Sequence, residues 1–333
     1  MNRYLATLAL MTLTLTTAAV FSAEDAKSPA VGAKKDAPRT AEDQRLEAKL
    51  LFQVGNDKFQ KGQDAYEGLL GETDPVPLLK AAALSFETLV RNYSGEDRAA
   101  DGALLLGTTY LLLEEMEKAL AAYESAYTRY PAFKDRHLAL LRTGICQAGL
   151  GDPQKAKATF ERYLKEFPDR TGEVLKVRKF IQELSIVGRP APPVLPARWL
   201  QGVAGPDGLK AFENQVVVLV FFATWCPNCR KELPHLRSIT KKWASSDVVF
   251  IAVVNPNDPQ GKVPVEAYVQ DNRLEFTDVA LDSATSTWTP YRVTGFPAAA
   301  VIDRKGTVRW RGHLGFFPSP LVKKLLEEGT AKP

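Results

Sequence analysis

Two patterns of hydrophobic and polar residues divide the chain. From residue 41 to about 186 it is dominated by the helix formers Ala, Leu, Glu and Lys, with Gly and Pro confined to short punctuating segments, so this half is predicted to be a run of helices. Beyond residue 196, apolar runs alternate with helical stretches. Strands are predicted at 216–222, 248–254, 298–302 and 307–312, and helices at 227–243, 265–271 and 318–328. That order predicts an α/β layer fold. Between the halves lies Arg189-Pro190-Ala191-Pro192-Pro193-Val194-Leu195-Pro196, a stiff extended stretch that marks a boundary. The expected division is therefore a helical domain at 41–186, a Pro-rich linker at 187–196 and an α/β domain at 197–333, with the helical half able to fold without the other.

The helical half repeats itself. Phe86, Tyr123 and Phe160 are spaced by 37 residues, as are Ala82, Ala119 and Ala156, Glu87, Glu124 and Glu161, and Tyr93, Tyr130 and Phe167. The middle unit carries Leu106-Gly107, Tyr110, Ala119, Tyr123, Ala126 and Pro131, which resembles the tetratricopeptide repeat (TPR) in residue type and spacing. Gly107 and Ala119 allow two helices to approach, Tyr110 and Tyr123 fill the space beside them, and Pro131 stops the second helix. The third unit keeps Gly144, Ala156, Phe160 and Pro168 but has Gln147 where an aromatic belongs. In the first unit Ser94 replaces the terminal proline and residues 71–75 interrupt the pattern. Two clear TPR units and an irregular one are expected, preceded by a helix near 46–59. Such hairpins serve as protein-contact scaffolds or as plain structure.

Met1-Asn2-Arg3 precedes an apolar stretch, residues 4–21, which is diluted by threonines and followed by Ser22-Ala23 and the acidic Glu24-Asp25. This reads as a signal peptide over 1–23, with cleavage around Ser22 or Ala23 and an uncleaved anchor as the alternative. Residues 24–40 read as a flexible leader. The mature protein is expected to be soluble in an exported compartment, the bacterial periplasm. Composition adds that 25% of residues are charged and the net charge is only +4. The helical half carries −3 and the α/β half +5. Neither has the dense basic stripe of a nucleic-acid binder, so no nucleic-acid partner is expected.

Three cysteines occur, Cys146, Cys226 and Cys229. A structural disulfide framework in an exported protein uses more, evenly paired, so the Cys226-x-x-Cys229 pair points to redox chemistry. Cys146, on an apolar helix, is expected to be a buried unreactive thiol. The run 216–222 delivers Cys226 from a buried strand to the start of a helix, where unbonded backbone N–H groups favour a thiolate. Pro227 at the first helical position loses only an N–H that would have been unpaired. Cys226 is therefore expected to be the exposed nucleophile, and Cys229, one turn deeper, the resolving thiol.

The run Phe221-Phe222-Ala223-Thr224-Trp225-Cys226-Pro227-Asn228-Cys229-Arg230-Lys231-Glu232-Leu233-Pro234 resembles the TlpA/ResA-type branch of the thioredoxin family. The resemblance covers about 188–330 and includes Tyr291-Arg292-Val293-Thr294-Gly295-Phe296-Pro297 as the turn before the third core strand. It implies that Pro297 is cis and presents a backbone edge on which a substrate chain lies beside Cys226, and that Trp225 shapes the site. Thioredoxins proper place a buried Asp six residues before the first cysteine. Here that residue is Val220, and the resemblance passes proton transfer to Glu232, whose alternative role is a solvated helix carboxylate. Asn228 stands where reductases of this branch more often have proline, and Phe296 is bulky for the residue before the cis-proline.

A zinc site needs about four ligands. Only His235 is near in sequence, so no metal and no cofactor are expected, and His235 and His313 are assigned to the surface. The expected activity is that of an exported thiol-disulfide oxidoreductase, a disulfide reductase acting on protein substrates. Its partners would be a protein disulfide or thiol substrate, an upstream thiol donor such as a membrane electron-transfer protein, and a protein on the TPR surface. The competing function is a TPR interaction scaffold whose thioredoxin-like domain is mainly a binding module; fold alone does not separate the two.

Overall fold

A computed structural model describes residues 40–328, except 72, 197, 203–204, 245, 256–263, 273–275, 277 and 283–285. The expected signal peptide and nearly all of the expected leader lie outside the described residues. The first half is helical throughout: α1 (Ala41–Tyr66), α2 (Pro75–Asn92), α3 (Ala99–Leu112), α4 (Met116–Arg129), α5 (Arg136–Gly149), α6 (Pro153–Glu166) and α7 (Thr171–Leu184). Thr40 and Asp43 form a reciprocal capping box at the start of α1, and Asp152 caps α6 through the Lys155 N–H. None of the described helices is long and apolar enough to cross a membrane.

The 37-residue register is the packing rule of this half. Phe86, Tyr123 and Phe160 are each buried against a glycine of the preceding helix. A methyl added at Gly107 would lie 2.5 Å from the Tyr123 ring, one at Gly144 2.5 Å from Phe160, and one at Gly55 2.8 Å from Phe86. Glycine is required at these points by close approach, not by backbone angle. The first unit is irregular because α1 runs on for three turns past Gly55 and a loop follows before α2, so the same contact is closed over a longer stretch of chain.

The second half is built on one six-stranded sheet of order β1-β4-β3-β2-β5-β6. The strands are β1 (Arg198–Gln201), β2 (Val216–Ala223), β3 (Val248–Asn255), β4 (Asp278–Leu281), β5 (Ala298–Ile302) and β6 (Val308–His313). The β2–β3 and β3–β4 pairs are parallel, and the other three are antiparallel. Each residue of β2 is buried, because both faces of the strand are covered. Val216, Val218, Val220 and Phe222 face a core closed by helices α9 (Leu233–Trp243), α10 (Val265–Asp271) and α11 (Ser319–Glu328). Val217, Leu219 and Phe221 face the opposite layer, formed by Val194, Phe212, Trp288 and Tyr291.

The four expected strands are present, and β1 and β4 are additional. The expected helix over 227–243 is two helices, α8 (Pro227–Lys231) and α9, broken at Glu232. Pro234 explains the break, since it has no N–H to donate and its ring crowds the carbonyl four residues earlier. The Pro-rich segment lies along the sheet edge. Gly188 N–H donates to the Val308 carbonyl at 2.7 Å, Val308 N–H to Arg189 at 2.9 Å and Ala191 N–H to Gly306 at 2.7 Å. An edge position tolerates prolines because only one side of the segment must pair.

The two halves meet along a polar and apolar seam. Arg311 on β6 and Glu183 on α7 form a buried ion pair at 3.6 Å, with Arg311 also donating to the carbonyls of Tyr291 and Gly312, each at 2.8 Å. Lys242 on α9 pairs with Glu114 after α3, Tyr66 with His235, and Leu321 on α11 reaches Gly151 after α5.

Candidate active site

Strand β2 ends at Ala223, and Thr224-Trp225 turn the chain so that Cys226 caps α8 with extended backbone angles. Cys229 N–H donates to Cys226 Sγ at 3.3 Å. Both cysteines are free thiols. The expected contrast in exposure is absent: Cys226 is 6% exposed and Cys229 5%. Their electrostatics differ instead. The Cys229 thiol donating to Cys226 is the largest influence on that sulfur; with the N–H groups of Cys229 and Asn228 and the charge of Arg230 it lowers the Cys226 pKa despite burial. Burial first, and then the neighbouring Cys226, push the Cys229 pKa strongly upward.

The Phe296–Pro297 bond is cis, and the Phe296 carbonyl lies 3.9 Å from Cys226 Sγ. The Phe296 ring stands edge-on between two tryptophans, Trp225 at 6.4 Å and Trp288 at 5.1 Å between centroids. Trp225 thus fixes the residue that precedes Pro297, a clamp that only the bulk of Phe296 hints at in sequence. From the helical half, Lys179 on α7 approaches the same loop, its Nζ 3.3 Å from where a Gly295 methyl would stand.

Val220 is fully buried, so the position of the missing aspartate is apolar. Glu232 sits at the break between α8 and α9, 6% exposed. Its Oε1 lies 2.8 Å from where a methyl on Gly315 would be, so any side chain there would collide with the carboxylate. Burial, and after it the negative charge of Glu67, push Glu232 up to about 7. Its charge acts on Cys229.

His235 is not at the surface, a correction to the expectation above. It is buried against Tyr66, whose hydroxyl bonds Nδ1, and burial brings it down to about 4. His313 is half-buried and accepts at Nδ1 from Gly315 N–H at 3.1 Å. Nothing in sequence spacing links residue 66 to residue 235. Tyr268 on α10 was also missed; its buried hydroxyl is pushed up to about 12, by burial first and then by the charge of Cys229. Cys146 is fully buried inside α5 and pushed up to about 12 by burial.

A cysteine pair at the first turn after a central strand, facing a cis-proline loop, defines a thioredoxin-like domain of the thiol-disulfide oxidoreductase class. Residues 188–311 match the AhpC/TSA family, and residues 138–170, spanning α5 and α6, match the tetratricopeptide repeat. The chain is similar to sporulation thiol-disulfide oxidoreductase A of Bacillus subtilis, 28% identical over 41% of this chain and 82% of that protein. It is 32% identical to protein DipZ of Mycobacterium bovis over 40% of this chain, but that match spans only 21% of DipZ. Thiol-disulfide oxidoreductase ResA of Bacillus cereus is 31% identical over 30% of this chain and 56% of its own length. A solved thioredoxin-family thiol:disulfide interchange protein from Chlorobium tepidum aligns with 41% of this chain and 97% of its own at 24% identity, with a TM-score of 0.31. The chain thus joins tetratricopeptide-type helices to a thioredoxin-like domain of the oxidoreductase class.

Proposed function

We propose that the protein is an exported disulfide reductase that acts on protein substrates through Cys226 and Cys229. The observation that carries this reading is the hydrogen-bonded, pKa-lowered Cys226 sulfur lying beside the Phe296 carbonyl and the cis Pro297. The Cys226 thiolate attacks one sulfur of a substrate disulfide, forming a mixed disulfide and releasing the other substrate sulfur as a thiolate. Cys229 then loses its proton to the Glu232 carboxylate and attacks Cys226 Sγ. The second substrate thiol leaves, two electrons have passed to the substrate, and Cys226–Cys229 is a disulfide. An upstream dithiol donor must return those electrons.

Glu232 suits the proton step because a group near 7 both gives and takes a proton at neutral pH. The substrate chain lies along the backbone of Phe296 and Pro297, with Trp225 bracing that edge. The apolar segment behind Met1-Asn2-Arg3 supports export, with the periplasm as the compartment, and the TPR helices support recruitment of a protein partner.

The test uses a Cys229→Ser variant incubated with a disulfide-bonded protein such as insulin. It is expected to accumulate a mixed disulfide through Cys226, mapped by mass spectrometry of non-reduced peptides. Trapping through Cys229 in a Cys226→Ser variant, with none in Cys229→Ser, would reverse the roles.

A further inference from the structure

The helical half contributes side chains to the surroundings of Glu232. Tyr66 is the last residue of α1, and its hydroxyl bonds Nδ1 of His235, with ring centroids 5.5 Å apart. His235 lies in the first turn of α9, three residues after Glu232. The turn after α1 follows the same surface: a methyl at Gly68 would stand 3.9 Å from Pro234 Cγ. Burial keeps His235 neutral, so the imidazole carries one acceptor nitrogen, and in the tautomer protonated at Nε2 that acceptor is the Nδ1 facing the tyrosine O–H.

The groups that face Glu232 come from several elements. Tyr66 and Glu67 belong to the end of α1 and Cys229 to α8, while His313 approaches Gly315 after β6 as the Glu232 carboxylate does. Glu114 and Lys242 complete the set around Tyr66 and His235. Glu232 therefore borders a seam whose far wall is the helical domain.

We propose that Tyr66, a residue of the helical domain, is a positioning residue for thiol-disulfide exchange: by donating to His235 Nδ1 it holds the start of α9, and with it Glu232, against Gly315 and beside Cys229. The TPR helices are then a working wall of the redox site. This inference rests on the reading of Glu232 as the proton carrier. Losing the tyrosine hydroxyl leaves a buried acceptor unpaired, and the seam relaxes to let water reach it. A hydrated Glu232 moves back toward the ordinary carboxylate range.

The experiment follows the rate at which the reduced full-length protein reacts with oxidised glutathione across roughly pH 5 to 9, a span that brackets a carboxyl near neutrality. The inflection lost in Glu232→Gln belongs to Glu232. In Tyr66→Phe that inflection is expected to move down by about one pH unit, while the pH dependence of Cys226 alkylation stays in place. His235→Gln should shift it alike, and the double variant no further, as for residues acting through one bond. A lowered melting temperature with an unmoved inflection in Tyr66→Phe would show a purely structural tyrosine and overturn the proposal. Should Tyr66→Phe not fold, an unmoved inflection in His235→Gln overturns it equally. An inflection that persists in Glu232→Gln removes the proton-carrier reading itself, and the role of Tyr66 falls with it. Loss in Glu232→Gln without movement in Tyr66→Phe sinks only the latter.

Discussion

Cys146 and Cys226 are the same residue type in the two halves of one molecule, both buried, and their environments drive their chemistry apart. Cys146 lies in the interior of α5, where the backbone N–H groups around it are spent on the helix ladder, and burial dominates its thiol, with the nearby charge of Arg142 opposing it only weakly. Cys226 stands at the end of α8, where N–H groups have no carbonyl four residues back and turn to the sulfur instead. Burial acts against ionisation at both sites and is outweighed only at the second. Reactivity here is a matter of where a side chain sits relative to a helix end, and exposure contributes little.

The largest expected effect breaks the comparison outright. Cys226→Ser should abolish turnover of a disulfide substrate, whereas Cys146→Ser should leave the rate within about twofold, as for a group that makes no contact with the reaction. Insulin reduction assays on both variants provide the check.

The next effect tests the seam that joins the halves. Arg311→Met leaves Glu183 buried without its partner and should cost about 3–5 kcal/mol in urea unfolding. Adding Glu183→Leu should recover only the part due to the unpaired carboxylate, because the Tyr291 and Gly312 carbonyls still lack the donor that Arg311 supplied.

A third expectation concerns pH. Glu232 has a folded-state pKa of about 7 against an ordinary value of 4.5, so the native state holds its proton more tightly than the unfolded chain. The stability this contributes is fully present below about pH 4.5 and is lost as pH rises through about 7, by up to about 3 kcal/mol. Relative to Glu232→Gln, the parent should lose stability over that window in denaturant titrations. A parallel pH dependence of the two proteins would refute the burial of an ionisable Glu232.

The smallest effect sharpens the helical side. Gly144→Ala places a methyl against Phe160, two residues from Cys146, and should destabilise by about 1–3 kcal/mol, less any gain in helix propensity. Thermal melts should register it without a change in the reactivity of Cys226.

Much of this arrangement was legible in the chain. The repeat register predicted the buried aromatics because a glycine facing a ring leaves a periodic trace, and β2 was readable because a strand covered on both faces is apolar throughout. The strands β1 and β4 are only four residues long, and β4 begins with the buried Asp278, so neither leaves such a trace. Cys226 and Cys229 stood out because two thiols three residues apart at a strand-to-helix junction are a local pattern, whereas Pro297 was singled out only by the resemblance of its turn to that of the thioredoxin family. The surroundings of Glu232 were not, since Tyr66 and His235 meet only when two halves dock. The break at Glu232 was written in Pro234 but was masked by the continuous helical pattern around it.

The most direct measurement is alkylation of the reduced native protein with iodoacetamide as a function of pH, with each cysteine followed separately by peptide mass spectrometry. Cys226 is predicted to react first, with a midpoint below the free-thiol value of about 8.5, while Cys229 and Cys146 stay protected across the neutral range. Alkylation of Cys146 or Cys229 at the same pH and rate as Cys226, or a Cys226 midpoint above that of a free thiol, would contradict the account.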